Sequence, residues 1–172
     1  MLDISISYNK FKFLGYEFMT WLWFAIEEGK LINTDKKPIL LEIGNRIVFE
    51  NSLNNTIETI IIKGDEAGLE EGILALKKGA VVTELNLVYK ENEQKWQFTL
   101  KGENLNIAGI KTPDTGNIEK QEDIEGVILE KVYLYNKVVE IMDTLFKKFI
   151  KIRLSNKWND ETVPLIRNWI NS

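Results

Sequence analysis

The 172-residue chain contains neither cysteine nor histidine. Without thiols there are no disulfides and no thiolate metal sites. Without imidazole the chain loses the commonest general base, the commonest metal ligand and every Ser-His or Cys-His nucleophile pair. Any catalysis would fall to Asp, Glu, Lys or Tyr. The longest apolar run, Phe13 to Ile26, is broken by Gly15, Glu17 and Thr20. It falls short of the ~20 apolar residues that span a bilayer. The N-terminus has no basic region followed by an apolar segment and a small-residue cleavage site, so it does not read as a secretory signal. Together these absences predict a cytoplasmic protein with no membrane contact.

What is present fits a folded domain. Hydrophobic residues make up 44% of the chain and charged residues 28%, which sets it apart from disordered sequences. Five Trp and eight Phe supply bulky core material. The length fits a single domain over residues 1–172. Its α/β part is expected at about 11–113, a loop at 112–122, and a helical part at about 124–171. Net charge is −4 but uneven. Residues 65–128 hold 13 acids and 7 bases, whereas residues 129–172 hold 5 acids and 8 bases. An acidic total argues against a general nucleic-acid coat, yet the local field of the last quarter is positive.

Periodicity predicts the elements. Residues 1–10 read as extended or frayed. A first helix is expected from about Lys12 to Gly29, with Leu14, Phe18, Trp21, Leu22, Ala25 and Ile26 at helical spacing. Trp23 and Phe24 fall outside that stripe, so the helix is apolar around most of its circumference and must be buried. Ile39–Ile43 and Arg46–Glu50 read as a hairpin turning at Gly44-Asn45. Thr56–Lys63 is a β-branched strand. Asp65 can cap a middle helix that ends at Lys77-Lys78-Gly79. Ala80–Lys90 alternates, and Trp96, Phe98 and Leu100 alternate after a polar turn at Glu91–Gln94. Leu105, Ile107 and Ile110 suggest a third strand. A long helix is expected from Ile124 to Ser155. It carries two adjacent stripes: Leu134, Val138, Ile141, Leu145, Phe149 and Ile152, and then Ile128, Val132, Tyr135, Val139, Met142 and Phe146. Two stripes imply two packing surfaces. A last short helix has Pro164 in its first turn. The expected fold class is α+β. A mainly antiparallel sheet, hairpin plus meander, packs against an N-terminal helix, a middle helix and a long C-terminal helix.

The stretch Thr59–Pro113 resembles the C-terminal half of the recombination-associated protein RdgC family. The likeness rests on Ala80-Val81-Val82-Thr83-Glu84-Leu85 directly after Gly79, on Gly102-Glu103-Asn104-Leu105-Asn106-Ile107, and on Thr20-Trp21-Leu22-Trp23-Phe24 upstream. The run FLGYEFMTWLWF also looks like the opening of short RdgC-like proteins. The likeness covers residues 14–113 and consists of packing motifs. It implies a homodimer that binds duplex DNA without sequence preference, through phosphate contacts rather than base reading. Lys63 holds a basic position of the family's turn before the middle helix.

The strongest electrostatic feature is Lys147, Lys148, Lys151, Arg153 and Lys157, followed by Trp158. Lys147, Lys148 and Lys151 share a helix face. The cluster reads as a phosphate-tracking patch or as a solvated face with cations near a helix C-terminus. With Lys63 it forms the candidate DNA site. Glu93-Gln94-Lys95 matches the E-x-K of some metal-dependent nucleases, with Asp114 as a second carboxylate, but it falls where a polar hairpin turn is expected. Trp21, Trp23 and Phe24 read as core or as a dimer seam. No Gly-rich phosphate loop is present. The expectation is a DNA-binding homodimer with no catalytic residue, metal, cofactor or small-molecule substrate. The alternative is an interaction or scaffold module that kept the fold without DNA binding.

Overall fold

Strict alternation over the middle of the chain builds the sheet. The computed structural model describes residues 4–31, 38–53, 56–64, 69–116 and 123–172. It shows an α+β fold: α1 (Ile4–Glu27), β1 (Leu40–Leu53), β2 (Thr56–Lys63), α2 (Leu69–Lys77), β3 (Val81–Glu91), β4 (Gln94–Lys101), β5 (Asn106–Lys111), α3 (Asp123–Arg153), a short π-helical turn (Trp158–Thr162) and α4 (Val163–Asn171). The five strands are antiparallel in the order β2-β1-β3-β4-β5. A hairpin (β1, β2) and a meander (β3 to β5) meet at the β1–β3 pair.

Two boundaries differ from expectation. The N-terminal segment expected to be extended or frayed is helical from Ile4. The Gly44-Asn45 turn is absent, and β1 runs through it as one 14-residue strand. Its pairing with β3 jumps from Ile43↔Leu87 to Ile47↔Leu85, so Gly44, Asn45 and Arg46 bulge opposite Asn86. A Cβ at Gly44 would stand 2.1 Å from the Asn86 Oδ1. Glycine is therefore needed for close approach, not for a turn. A second bulge at Thr83 lets Val82 join Leu85, Leu87 and Tyr89 on the buried face, where unbroken alternation would put it on the other side. The expected cap at Asp65 lies outside the described residues. Lys77-Lys78-Gly79 does end α2: Gly79 has φ +87°, and the Ala80 N–H donates to the Ala75 carbonyl.

The helices gather on one face of the sheet. The buried side chains there include Ile47, Phe49, Val82, Leu85, Leu87, Trp96, Phe98 and Leu100. α1 lies across them. Its Trp21, Trp23 and Phe24 are 4%, 1% and 4% exposed, so the core reading of this group is the one realised. Phe149 of α3 packs among Phe18, Trp21, Phe146 and Trp158 at centroid distances of 5.4–6.1 Å. Trp169 of α4 meets Trp23 edge-on at 5.1 Å. Buried indole N–H groups find acceptors, Trp23 in the Glu27 carboxylate and Trp96 in the Leu134 carbonyl, each at 3.1 Å. Among the described residues no helix is long and apolar enough to cross a membrane.

One buried group gives the fold a pH signature. Burial, reinforced by the Glu91 charge, pushes the Tyr89 phenol up from 10.0 to about 12. A folded-state pKa above the unfolded one favours the protonated phenol in the native state. That contribution is intact below pH 10.0 and is lost as pH rises toward 12. Tyr89→Phe is expected to flatten the fall of stability between these limits, read from urea midpoints at pH 9 to 11.5. An unchanged slope would remove Tyr89 as its source.

Candidate nucleic-acid interface

The six expected DNA contacts separate into two places. Lys147 and Lys151 are exposed one turn apart on α3, with Lys148 beside them. The Lys147 ammonium pairs with the Asp143 carboxylate at 2.6 Å, four residues back. Lys148 is half-buried and donates to the Lys30 carbonyl at 3.2 Å, and burial lowers its pKa. Lys151 and Lys157 are exposed. Arg153 is committed to the fold: its Nε donates to the Glu17 carboxylate at 2.6 Å and its guanidinium lies 5.3 Å from the Trp158 ring centre. Trp158 itself is buried against Phe149. Lys63 ends β2 opposite Arg46, on the sheet face turned away from the helices. It does not join the α3 cluster.

Lys63 stands instead in a larger basic field. Alternation puts Ile47, Phe49, Leu85, Leu87, Tyr89, Trp96, Phe98 and Leu100 on the helix side. Their neighbours therefore face outward. Among these are Glu42, Arg46 and Glu50 on β1, Lys63 on β2, Glu84, Asn86 and Lys90 on β3, and Lys95, Gln97, Thr99 and Lys101 on β4, around an apolar centre of Val48, Ile61 and Val88. Lys111 on β5 joins them through its register with Gln97, which the Gly109–Ile110 bulge restores. Among the described residues no helix packs on this face. It carries six bases against three acids on a chain whose net charge is −4.

The pairing on this face leaves cations over. Glu84 serves two of them, Arg46 at 2.9 Å and Lys101 at 3.5 Å. Glu42 holds Lys90 at 2.7 Å. Lys63, Lys95 and Lys111 have no ion pair among the described residues and are exposed. Arg46 stands opposite Lys63 and reaches diagonally to Glu84, which lies in register with Lys101, so three bases gather around one acid. Asn86 ties the centre together, donating to the Phe98 carbonyl and the Thr99 hydroxyl and accepting from Gln97 at 2.9 Å.

No family model, curated protein or solved structure matches the chain.

Of the remaining candidates, Glu93, Gln94 and Lys95 fall at the β3–β4 hairpin. Asn92 at φ 55° and Glu93 make the tight turn between β3 and β4, while Lys95 faces outward from β4. Asp114 follows β5. Among the described residues no group of three Asp or Glu side chains lies close enough to hold a metal ion. Arg46, Lys101 and Lys111 were not singled out by sequence reasoning, and Lys95 stood out only as part of the E-x-K tripeptide. Their signal was there in part, since Lys95, Gln97, Thr99 and Lys101 are the polar half of an alternating strand. What joins them to Lys63 is cross-strand register, which spans residues far apart in sequence.

Proposed function

We propose that the protein binds duplex DNA without sequence preference, through the phosphate backbone and the uncovered sheet face. The observation that supports this most is the excess of cations on that face, where Lys63, Lys95 and Lys111 have no ion pair among the described residues. A field of lysines and amides around Val48, Ile61 and Val88 offers charge and hydrogen bonds, and no helix among the described residues stands out from it to enter a groove, which suits phosphate contact rather than base reading. At 4.8 Å per strand the five strands cover roughly 19 Å, enough to meet phosphates on both sides of a ~12 Å major groove. The RdgC-like motifs point to the same activity. The alternative, an interaction module without DNA affinity, draws on one observation, the exposed apolar residues of α3.

Anisotropy of a labelled duplex titrated across salt tests this. Affinity is expected in the micromolar to 100 micromolar range, with log affinity falling linearly with log salt and no dependence on sequence. Replacing Lys63, Lys95 and Lys111 together by alanine is expected to flatten the slope by about 2.7, at ~0.9 per phosphate contact. The triple change at Lys147, Lys151 and Lys157 is expected to leave it unchanged. The reverse pattern would move the site to α3. Absence of binding even at low salt would sink the DNA reading.

A further inference from the structure

A cavity of about 280 Å³ opens between α1, the π-helical turn, α4 and the start of β3. Three aromatic rings border it, Phe13 and Tyr16 from α1 and Trp158 from the π-helical turn. Val163 and Ile166 add aliphatic wall. Trp158 and Ile166 are buried, whereas Phe13 and Val81 are 49% and 37% exposed and mark the mouth. The Val163 N–H donates to the Trp158 carbonyl five residues back, so the chain is wider than an α-turn where it lines the cavity. Single π-helical turns of this kind recur at functional sites. Glu17, Thr20 and Arg167 also reach the cavity, and the first two are already used. The Glu17 carboxylate accepts from the Arg153 Nε at 2.6 Å, and the Thr20 hydroxyl donates to the Tyr16 carbonyl at 3.1 Å. Arg167 is exposed and has no ion pair among the described residues. Since Arg153 offsets Glu17, the charge offered to a guest is that of the Arg167 guanidinium, which stays protonated.

We propose that this cavity binds a small aromatic carboxylate, its rings held among Phe13, Tyr16 and Trp158 and its anion met by Arg167 at the rim. The walls choose the body of the guest. Aromatic side chains gain from offset-stacked and edge-to-face contacts beyond the area they bury, which favours a flat ring system over a flexible chain. The volume sets its size. An apolar cavity of ~150 Å³ takes benzene, so about 280 Å³ suits a body of two fused rings. Arg167 chooses the polar end. A planar guanidinium holds a carboxylate through two parallel hydrogen bonds, and a cation at the edge of an apolar pocket is the kind of single polar anchor that orients a small ligand. The cavity lies among the helices, apart from the uncovered sheet face, and the proposal does not rest on DNA binding.

Titration of the isotope-labelled intact chain with 2-naphthoate, followed by NMR, tests it, with 2-naphthalenemethanol as the neutral match. The acid is expected to bind saturably with a Kd of about 1 mM or tighter, as the ligand efficiency of so small a guest allows. It is expected to bind about tenfold tighter than the alcohol, the value of a charge-assisted pair with Arg167. Arg167→Gln alters an exposed side chain and is expected to fold. It should remove that tenfold advantage and leave the alcohol unchanged. Val81→Trp fills the mouth and is expected to abolish binding of both. No saturable binding of the acid up to about 10 mM overturns the proposal. So does an Arg167→Gln variant that holds the acid as well as the wild type, and so does a folded Val81→Trp variant that still binds. Should Val81→Trp fail to fold, nuclear Overhauser contacts in the wild type replace it. Contacts from the naphthoate ring to the Val163 and Ile166 methyl groups support the site, and contacts that all fall elsewhere overturn it.

Discussion

Phe149→Ala is expected to cost about 3–5 kcal/mol of unfolding free energy. The residue is fully buried and its ring meets Phe18, Trp21, Phe146 and Trp158. It thus joins α1, α3 and the π-helical turn that leads into α4. Truncation removes the transfer energy of the ring and leaves a cavity walled by other rings, which cannot collapse without moving three elements. Domains of this size hold about 5–15 kcal/mol in all, so the loss is a large share. At roughly 2–4 °C per kcal/mol it lowers the midpoint by about 6–20 °C. Thermal unfolding followed by tryptophan fluorescence reads it directly. Leu154→Ala supplies the contrast, since Leu154 is 82% exposed and its loss is expected to stay within about 0.5 kcal/mol. A Phe149→Ala shift no larger than that of Leu154→Ala would show that this aromatic junction does not hold the helical layer.

Local chemistry made most of the fold legible, and long-range register accounts for most of what was missed. The run Ile60-Ile61-Ile62 between polar turns marks β2, and Thr56–Lys63 is its observed extent. The two stripes of α3 foretold two packing surfaces, and the exposures of Leu134 and Val132, 3% and 51%, show one filled and the other half open. Gly44-Asn45 misled because the same dipeptide that favours a turn also permits a bulge. The choice was made by β3, whose Asn86 occupies the space a Cβ would need. The candidate site divides the same way. A lysine cluster on one helix can be seen from spacing alone, so Lys147, Lys148 and Lys151 stood out. Nothing in the spacing tells that Arg153 is drawn to Glu17, 136 positions earlier. Nor does it tell that Lys63 faces Arg46, or that Lys111 reaches the level of Gln97.

Gly15→Ala is expected to destabilise the protein by ~3 kcal/mol or more, against the sign that helix propensity gives. In an open helix interior the same change gains up to about 1 kcal/mol, because alanine loses less backbone freedom on folding. Here α1 crosses the β4–β5 connection at its closest point. A Cβ on Gly15 would stand 1.8 Å from the Gly102 carbonyl oxygen and 2.9 Å from its carbon. Both are backbone atoms, so no rotamer change relieves the overlap. Gly102 cannot retreat easily, because its N–H donates to the Thr83 carbonyl at 2.8 Å. A Cβ on Gly102 in turn would press on Met19 and Tyr16. The helix must lift instead, and Phe18, Met19 and Leu22, each at most 1% exposed, lift with it. Gly126 of α3 provides the matched control: it is exposed, and a Cβ there meets nothing within 4 Å. Gly126→Ala is expected to raise the urea midpoint and Gly15→Ala to lower it. If both variants moved the midpoint upward, propensity would outweigh contact, and the glycine–glycine crossing would not be what sets the height of α1 above the sheet.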